Sequence, residues 1–324
     1  MKEITLKLYC DEAQQVEVSF SGNNQEKWIY MGILLVPVDS LDTLLNNLLN
    51  ARCGDKNRNW EWGNCGKIND CKYHEKNNKE VHYSELDDTE KYYIAKRWVD
   101  YLLNDKNLIY FYILGLNYSK LNLDYFGDHN TSVNAYNRFF RTAILKSAKS
   151  YFYKYDKLRI KDIYHDFDES KSSHEYFPWH SIKFINNKDD KLMFENEEIK
   201  FISSSHKKSD DLNSHLIQLI DLITGCTMNC LHNSTNNQEK INISKQFYPI
   251  LREIIKQPNK KDCYYNCFNR QKVEFFPKND IRTVKEDDFI KKELFRSNSF
   301  YSNREILIEL RDQLGLFNNI TSIK

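Results

Sequence analysis

The tightest constraint in this chain is the run Ser214-His215-Leu216-Ile217-Gln218-Leu219-Ile220-Asp221-Leu222-Ile223-Thr224-Gly225. At helical spacing its six Leu and Ile side chains spread around the whole circumference, so the helix has little polar face to offer water and must be covered on most sides. The predicted helix runs from Leu212 to Cys230, started by Ser209 or Asp210. His215, Gln218 and Asp221 step by three residues and share one stripe. A carboxylate in such a helix is costly unless something charged or hydrogen-bonding compensates it. A divalent cation is one compensator; an ordinary cap or salt bridge is another.

The rest of the sequence supplies what could cover that helix. Thr5 to Cys10 alternates, with Leu6, Leu8 and Cys10 on one face, and predicts a strand that ends at Asp11-Glu12. Trp28 to Val36 is nearly all apolar up to Pro37, as in a central strand covered on both faces, and the two predict an antiparallel pair. Leu41, Leu44, Leu45, Leu48 and Leu49 mark a helix, with Asp39 and Ser40 as its caps. Residues 51–79 lose all periodicity and read as an insertion. Then come a short extended piece at Glu80 to Ser84, a helix carrying Ala95, Trp98, Val99, Leu102 and Leu103 inward, and a strand at Leu108 to Leu116. Ser132 to Tyr155 predicts a long amphipathic helix, and Arg159 to His165 a strand ending at Asp166. Glu198 to Ser203 predicts one more strand. The order predicts an α/β fold, a mixed sheet flanked by helices. We expect a core over residues 1–232 and, over 233–324, a mainly helical extension with helices near 246–255 and 305–314.

With 47 basic against 46 acidic side chains the formal net charge is +1. Bulk charge therefore does not mark a nucleic-acid binder, and any such contact has to come from a local patch. No stretch has the length or character of a signal peptide or a membrane span, so the expectation is a cytoplasmic protein with its eight cysteines reduced. No Gly-rich phosphate loop is present, which argues against nucleotide-driven chemistry.

Acids recur at the ends of the predicted strands. Asp11-Glu12-Ala13-Gln14, Glu80-Val81-His82 running into Tyr83-Ser84-Glu85-Leu86, Tyr164-His165-Asp166 and Gln218-Leu219-Ile220-Asp221-Leu222 form an ordered set. In that order they resemble the uncharacterised bacterial family called domain of unknown function 3800, regarded as ribonuclease-H-like. The resemblance spans roughly residues 5–230. Ala13-Gln14 stands where the family has Ser-Gly, and Ile220 where it has a small residue.

The resemblance implies a ribonuclease-H-like nuclease in which Asp11, Glu80, Asp166 and Asp221 hold two Mg²⁺ or Mn²⁺ ions and hydrolyse phosphodiester bonds of RNA or DNA. The alternative is a non-catalytic nucleic-acid or protein-binding module that kept the fold. Glu85, or more remotely Glu61, competes with Glu80 for its role, and Asp168 competes with Asp166. Glu12 reads as a solvated turn acid; His215 and His165 could donate to a phosphate or substrate oxygen, with a structural role as the alternative, and Gln218 shares the stripe of Asp221.

Two further groups stand out. Arg138, Arg141, Lys146 and Lys149 form one helix face suited to backbone phosphates, with Tyr151, Tyr153 and Tyr155 nearby for stacking; a solvated basic face is the ordinary alternative. Cys53, Cys65, Cys71 and His74 fall inside the insertion and form a candidate structural Zn²⁺ set, although no Cys-x-x-Cys pair occurs. Cys226 and Cys230, like Cys263 and Cys267, read as small apolar residues. The stretch His174 to His180 is a candidate groove lining.

Overall fold

The alternating pattern of the first forty residues becomes a long antiparallel pair. Strand β1 (Glu3–Ser19) lies against β2 (Gln25–Pro37), in register from Leu6 opposite Pro37 to Ser19 opposite Gln25, with one irregularity between Ala13 and Val16. Strand β1 thus runs past Asp11 and does not end there as expected, because β2 is long enough to keep pairing with it. The computed structural model describes residues 2–19, 25–53, 71, 79–87, 89–104, 108–126, 131–167, 190–196, 198–205, 212–232, 234–256 and 270–276.

A 3₁₀ turn at Val38–Ser40 leads into α1 (Leu41–Ala51). Ser40 occupies the N-cap without a side-chain cap bond, and Asp39 sits inside the turn, so neither caps as expected. Helix α2 (Thr89–Asn104) turns Ala95, Trp98, Val99 and Leu102 inward, but Leu103 falls off that stripe and is exposed. Next come β3 (Tyr110–Asn117), α3 (Thr131–Tyr151), β4 (Lys157–Asp166), and the short strands β5 (Leu192–Phe194) and β6 (Ile199–Ile202). The apolar run is α4 (Ser214–His232), followed by α5 (Gln238–Lys256) and β7 (Gln271–Phe276).

Among the described residues the sheet has the order β5-β4-β1-β2-β3-β7, with β6 also on β4. It is mixed: β1, β2 and β3 run antiparallel in turn, while β4 is parallel to β1 and β7 is parallel to β3. Strand β7 means that the sheet draws on chain from both sides of the boundary expected at residue 232. No helix among the described residues is long and apolar enough to cross a membrane.

Each face of the sheet carries its own core. On one face α1, α2, α4 and α5 pack on Tyr9, Trp28, Tyr30, Leu34, Phe111, Ile113 and Tyr164. On the other, α3 packs on Leu6, Leu8, Cys10, Ile33, Leu35, Tyr112 and Ile163. Fully burying one such Leu or Ile contributes about 1.5–3 kcal/mol, so both faces are strongly held.

One irregularity sets which side chains meet α4. In the β1–β4 pair Leu6 lies opposite Ile160 but Lys7 lies opposite Asp162, so Lys161 is an extra residue, a β-bulge. The Asn196 side chain satisfies its carbonyl at 2.9 Å. A one-residue shift reverses the face of everything beyond it. Past the bulge Ile163 and His165 join the α3 side, and Asp162, Tyr164 and Asp166 turn toward α4. Tyr164 there stacks on Tyr9 of β1, ring centroids 5.2 Å apart.

Candidate carboxylate site

Four distant acids are brought to one place by this framework. Cys10 pairs with His165 across the parallel strands, so Asp11 and Asp166, one step further on, are neighbours on the α4 face. Asp11 lies opposite Gly32 of β2. Helix α4 comes so close there that a methyl group on Gly32 would collide with Thr224 and Ile220, which brings the Asp221 turn over the same spot. The fourth acid, Glu80, arrives on the extended piece that follows the insertion.

At the centre stands His82, which sequence reasoning quoted within a motif but gave no role. Its Nδ1 lies 3.1 Å from Asp221 Oδ2, and its Nε2 lies 3.1 Å from Glu80 Oε1 and 2.9 Å from Ser204 Oγ. Burial pushes this imidazole toward neutrality, but Asp221 and Glu80 outweigh it and hold its pKa up at about 11. His82 is therefore a cation at neutral pH. Burial likewise raises Glu80, and His82 and Ser204 overcome that to bring it down to about 2. The Tyr83 amide donates to Asp221 Oδ2 at 2.7 Å.

Ser204, just past β6, ties the group together. Its hydroxyl donates to Glu80 Oε1 at 2.7 Å, and its amide donates to Asp166 Oδ1 at 3.1 Å. Asp166 has its pKa raised by burial and further by Asp221, against the pull of His82 and His165. Among the described residues no Lys or Arg pairs with Asp166. The contrast is Asp162, on the same face of β4, which is held by Lys200 at 2.6 Å and Lys7 at 3.8 Å.

Behind the acids lies a second chain of bonds. Gln218, wholly buried on α4, donates to the Ser204 carbonyl at 2.6 Å and accepts from the Val81 amide at 3.0 Å. Its oxygen also accepts from Arg52, whose other nitrogen donates to the Lys79 carbonyl at 2.7 Å. Arg52 is itself buried, with its guanidinium 4.7 Å from the Trp98 ring centre. Burial lowers its pKa to about 9, opposed by Glu80, so it remains charged at neutral pH.

The other expected residues are placed as follows. Glu12, expected as a solvated turn acid, is instead engaged on the opposite face, accepting from Tyr136 at 2.8 Å and meeting His165 Nε2 at 3.1 Å. His165 is buried on that face against Phe140 and Phe201, behind the acids rather than among them. Glu85 is exposed and paired with Lys91 at 2.6 Å, so it does not replace Glu80. His215 is buried at the start of α4, with no described bond to the four acids. Asp168, Glu61, Cys65, His74, Cys263, Cys267, the stretch 174–180 and the helix expected near 305–314 lie outside the described residues. Cys226 and Cys230 are buried within α4, as small apolar residues would be.

Arg138, Arg141, Lys146 and Lys149 lie on α3, which covers the face of the sheet away from the four acids. A shallow hollow of about 500 Å³ is lined there by Arg141, Lys146 and Lys149 with Thr142, Leu145 and Ser150. Lys146 is engaged by Glu274 of β7. Tyr151, expected to be available for stacking, is buried with its hydroxyl on the Phe111 carbonyl, whereas Tyr153 is exposed.

Glu274 gives a pH prediction. Burial raises its pKa, but Lys272, Lys146 and Tyr112 hold it down at about 2. A depressed carboxylate adds stability above its unfolded value, and that contribution fades as pH falls from there through the folded value. Glu274→Gln is expected to cost about 1–3 kcal/mol near pH 6, after allowance for partial exposure. Urea melts should show the gap from wild type closing as pH is lowered from about 5 toward 2. A gap independent of pH would reject this assignment.

Among the described residues no group of three or more His, Cys, Asp or Glu side chains stands ready to hold a metal ion. The chemistry of the donors still fits a hard divalent ion in part. Asp11 and Asp166 are adjacent oxygen donors on one face, and burial outweighs the pull of His82 and His165 on the Asp166 charge. Glu80 and Asp221 share the single positive charge of His82, which leaves the three groups with one net negative charge. Comparisons with protein-family models, with curated proteins and with solved structures gave no match.

Proposed function

We propose that this chain is a Mg²⁺- or Mn²⁺-dependent hydrolase of phosphodiester bonds in RNA or DNA, built on a ribonuclease-H-like core similar to domain of unknown function 3800. The observation that carries the reading is the arrival of Asp11, Asp166, Asp221 and Glu80, from four distant parts of the chain, around one half-buried point. The mixed sheet with helices on both faces supports it further. Asp11 and Asp166 would hold the metal, with Asp221 and Glu80 as the pair that His82 now satisfies. Such an ion supplies an activated water and compensates charge on phosphate oxygens. The residues of the chain do the rest: Ser204 orients Asp166 and Glu80 through its amide and hydroxyl, and Gln218 fixes Ser204. Among the described residues His82 is the cation in contact with these carboxylates, and a phosphate oxygen would have to displace one of them from its ring nitrogens.

The test is cleavage of mixed RNA and DNA substrates with Mn²⁺ by wild type, Asp11→Asn and Asp221→Asn. Wild type should cut and both variants should not; equal activity in all three would remove the proposal.

A second reading, the non-catalytic binding module, is favoured by one observation. His82 already pairs with both Glu80 and Asp221 without a metal. Calorimetry with Mn²⁺ separates the two, because carboxylate-dependent uptake belongs to the hydrolase and its absence to the module.

A further inference from the structure

Glu80 and His82 reach the carboxylate site on a short segment, residues 79–85, that lies along α4 outside every strand of the sheet. His82 is extended, with φ -117° and ψ 132°. In extended chain successive side chains point to opposite sides. Glu80 accordingly meets Ser204, and His82 meets Ser204 and Asp221, while Val81 and Tyr83 are buried in the core on the other side.

One stripe of α4 receives this segment. Gln218, Asp221 and Gly225 follow each other at steps of three and four and so share a helix face. Gln218 accepts the Val81 amide at 3.0 Å, and Asp221 accepts the Tyr83 amide at 2.7 Å. At Gly225, one turn further, the Tyr83 side chain lies directly on the helix, and a methyl group there would collide with it. Beyond the ring, the Tyr83 hydroxyl is hydrogen-bonded to Ser244 of α5 at 3.0 Å. Lys240 of the same helix donates to the Ser84 carbonyl at 2.5 Å.

The backbone bonds hold the segment but do not choose its register, because one peptide amide is like another. A slip of one residue would allow bonds of the same kind and turn Glu80 and His82 into the core. What distinguishes the observed register is a large ring in a notch that has no Cβ. We propose that Tyr83 is the positioning residue of the carboxylate site: its ring, seated on Gly225, sets the register of residues 79–85 along α4 and so turns Glu80 and His82 toward Ser204 and Asp221. The seat serves the hydrolase and the binding module alike, and only its effect on cleavage rests on the hydrolase reading.

Hydrogen exchange of the full chain, followed by mass spectrometry in peptides spanning 79–86 and, for comparison, 28–36 of β2, is the experiment. Tyr83→Ala empties the notch and Gly225→Ala fills it. Each should speed exchange in 79–86 at least about 30-fold, and more than in 28–36, by letting the segment open locally. Tyr83→Phe keeps the ring, and Ser244 still accepts from Asn229 at 3.0 Å, so this variant should stay within about fivefold of wild type. The kcat of Mn²⁺-dependent cleavage, per folded molecule, should fall at least about tenfold in the first two variants and be restored in Tyr83→Phe, as for a residue that orients a metal-site group. A merely structural residue would lower Tm and leave that kcat alone. Unchanged exchange in Tyr83→Ala, acceleration as large in 28–36 as in 79–86, or a Tyr83→Phe that behaves like Tyr83→Ala would overturn the assignment. So would a wild-type kcat in a variant whose segment has opened. If Gly225→Ala does not fold, the contrast between Tyr83→Ala and Tyr83→Phe decides. A wild type that cuts nothing removes the hydrolase reading, and the exchange comparison then decides the seat by itself.

Discussion

Asp166→Asn is expected to lower Mn²⁺-dependent cleavage by at least about 100-fold while leaving the fold as stable as wild type or more so. The size follows from metal sites in general, where even indirect partners of the ion cost about 10–100-fold when removed, and a direct ligand costs more. The stability half follows from the surroundings of Asp166. Burial and Asp221 oppose its charge more than His82 and His165 favour it, and the Ser204 amide is the one described hydrogen-bond donor to its carboxylate. Asparagine keeps an oxygen for that amide and removes the charge. Thermal melting in the presence of a chelator measures the second effect, and a fall of several degrees in Tm would mean that Asp166 holds the fold together instead. Glu85→Gln serves as the control, since Glu85 is a surface partner of Lys91.

The largest loss of stability is expected from Arg52→Ala, about 3–5 kcal/mol, from the cavity left by a large buried side chain together with the loss of two hydrogen bonds from a charged donor. Arg52 bonds Gln218 on α4 and the Lys79 carbonyl while stacking on Trp98 of α2. It therefore joins two helices to the piece of chain that carries Glu80 and His82. Alanine leaves the Lys79 carbonyl without that donor and opens a cavity beside Trp98. Arg52→Lys should recover only a small part, because one ammonium cannot reproduce a fork that donates in two directions over an aromatic ring. Urea unfolding of the three proteins is the measurement. A loss below about 1 kcal/mol for Arg52→Ala would show that Gln218 and Ser204 hold this arrangement unaided.

Much of the framework was readable because strong periodicity leaves little choice. The apolar α4, the antiparallel β1–β2 pair and the strand ending at Asp166 all follow from which positions are apolar. The placement of Asp11 at a strand end did not hold, since propensity cannot show how far a pairing partner reaches. The bulge at Lys161 left a trace, the three-residue step from Ile160 to Ile163 in place of a two-residue alternation. Taken literally, unbroken alternation would put Asp166 on the wrong side of the sheet. The parts of the site that were missed are polar residues whose meaning lies in their partners. Arg52 sits at the end of a leucine-rich helix, and Ser204 in a run of serines, and neither has a local pattern that separates it from a surface residue. His82 had one usable signal: in an extended Glu-Val-His stretch the acid and the imidazole lie on the same side. The spacing of Arg138, Arg141, Lys146 and Lys149 showed that they share a helix, but only the sheet shows that this helix covers the face away from the acids.

Strand β7 carries a consequence for how this molecule is made. It fills the place beside β3 and sets Phe275 edge-on to Trp28 and Tyr30. A nascent polypeptide that has emerged from the ribosome only as far as α5 therefore displays an unpaired β3 rim and a bare aromatic patch. Such rims recruit strands from other chains. That rim is closed only once Gln271–Phe276 has paired with β3.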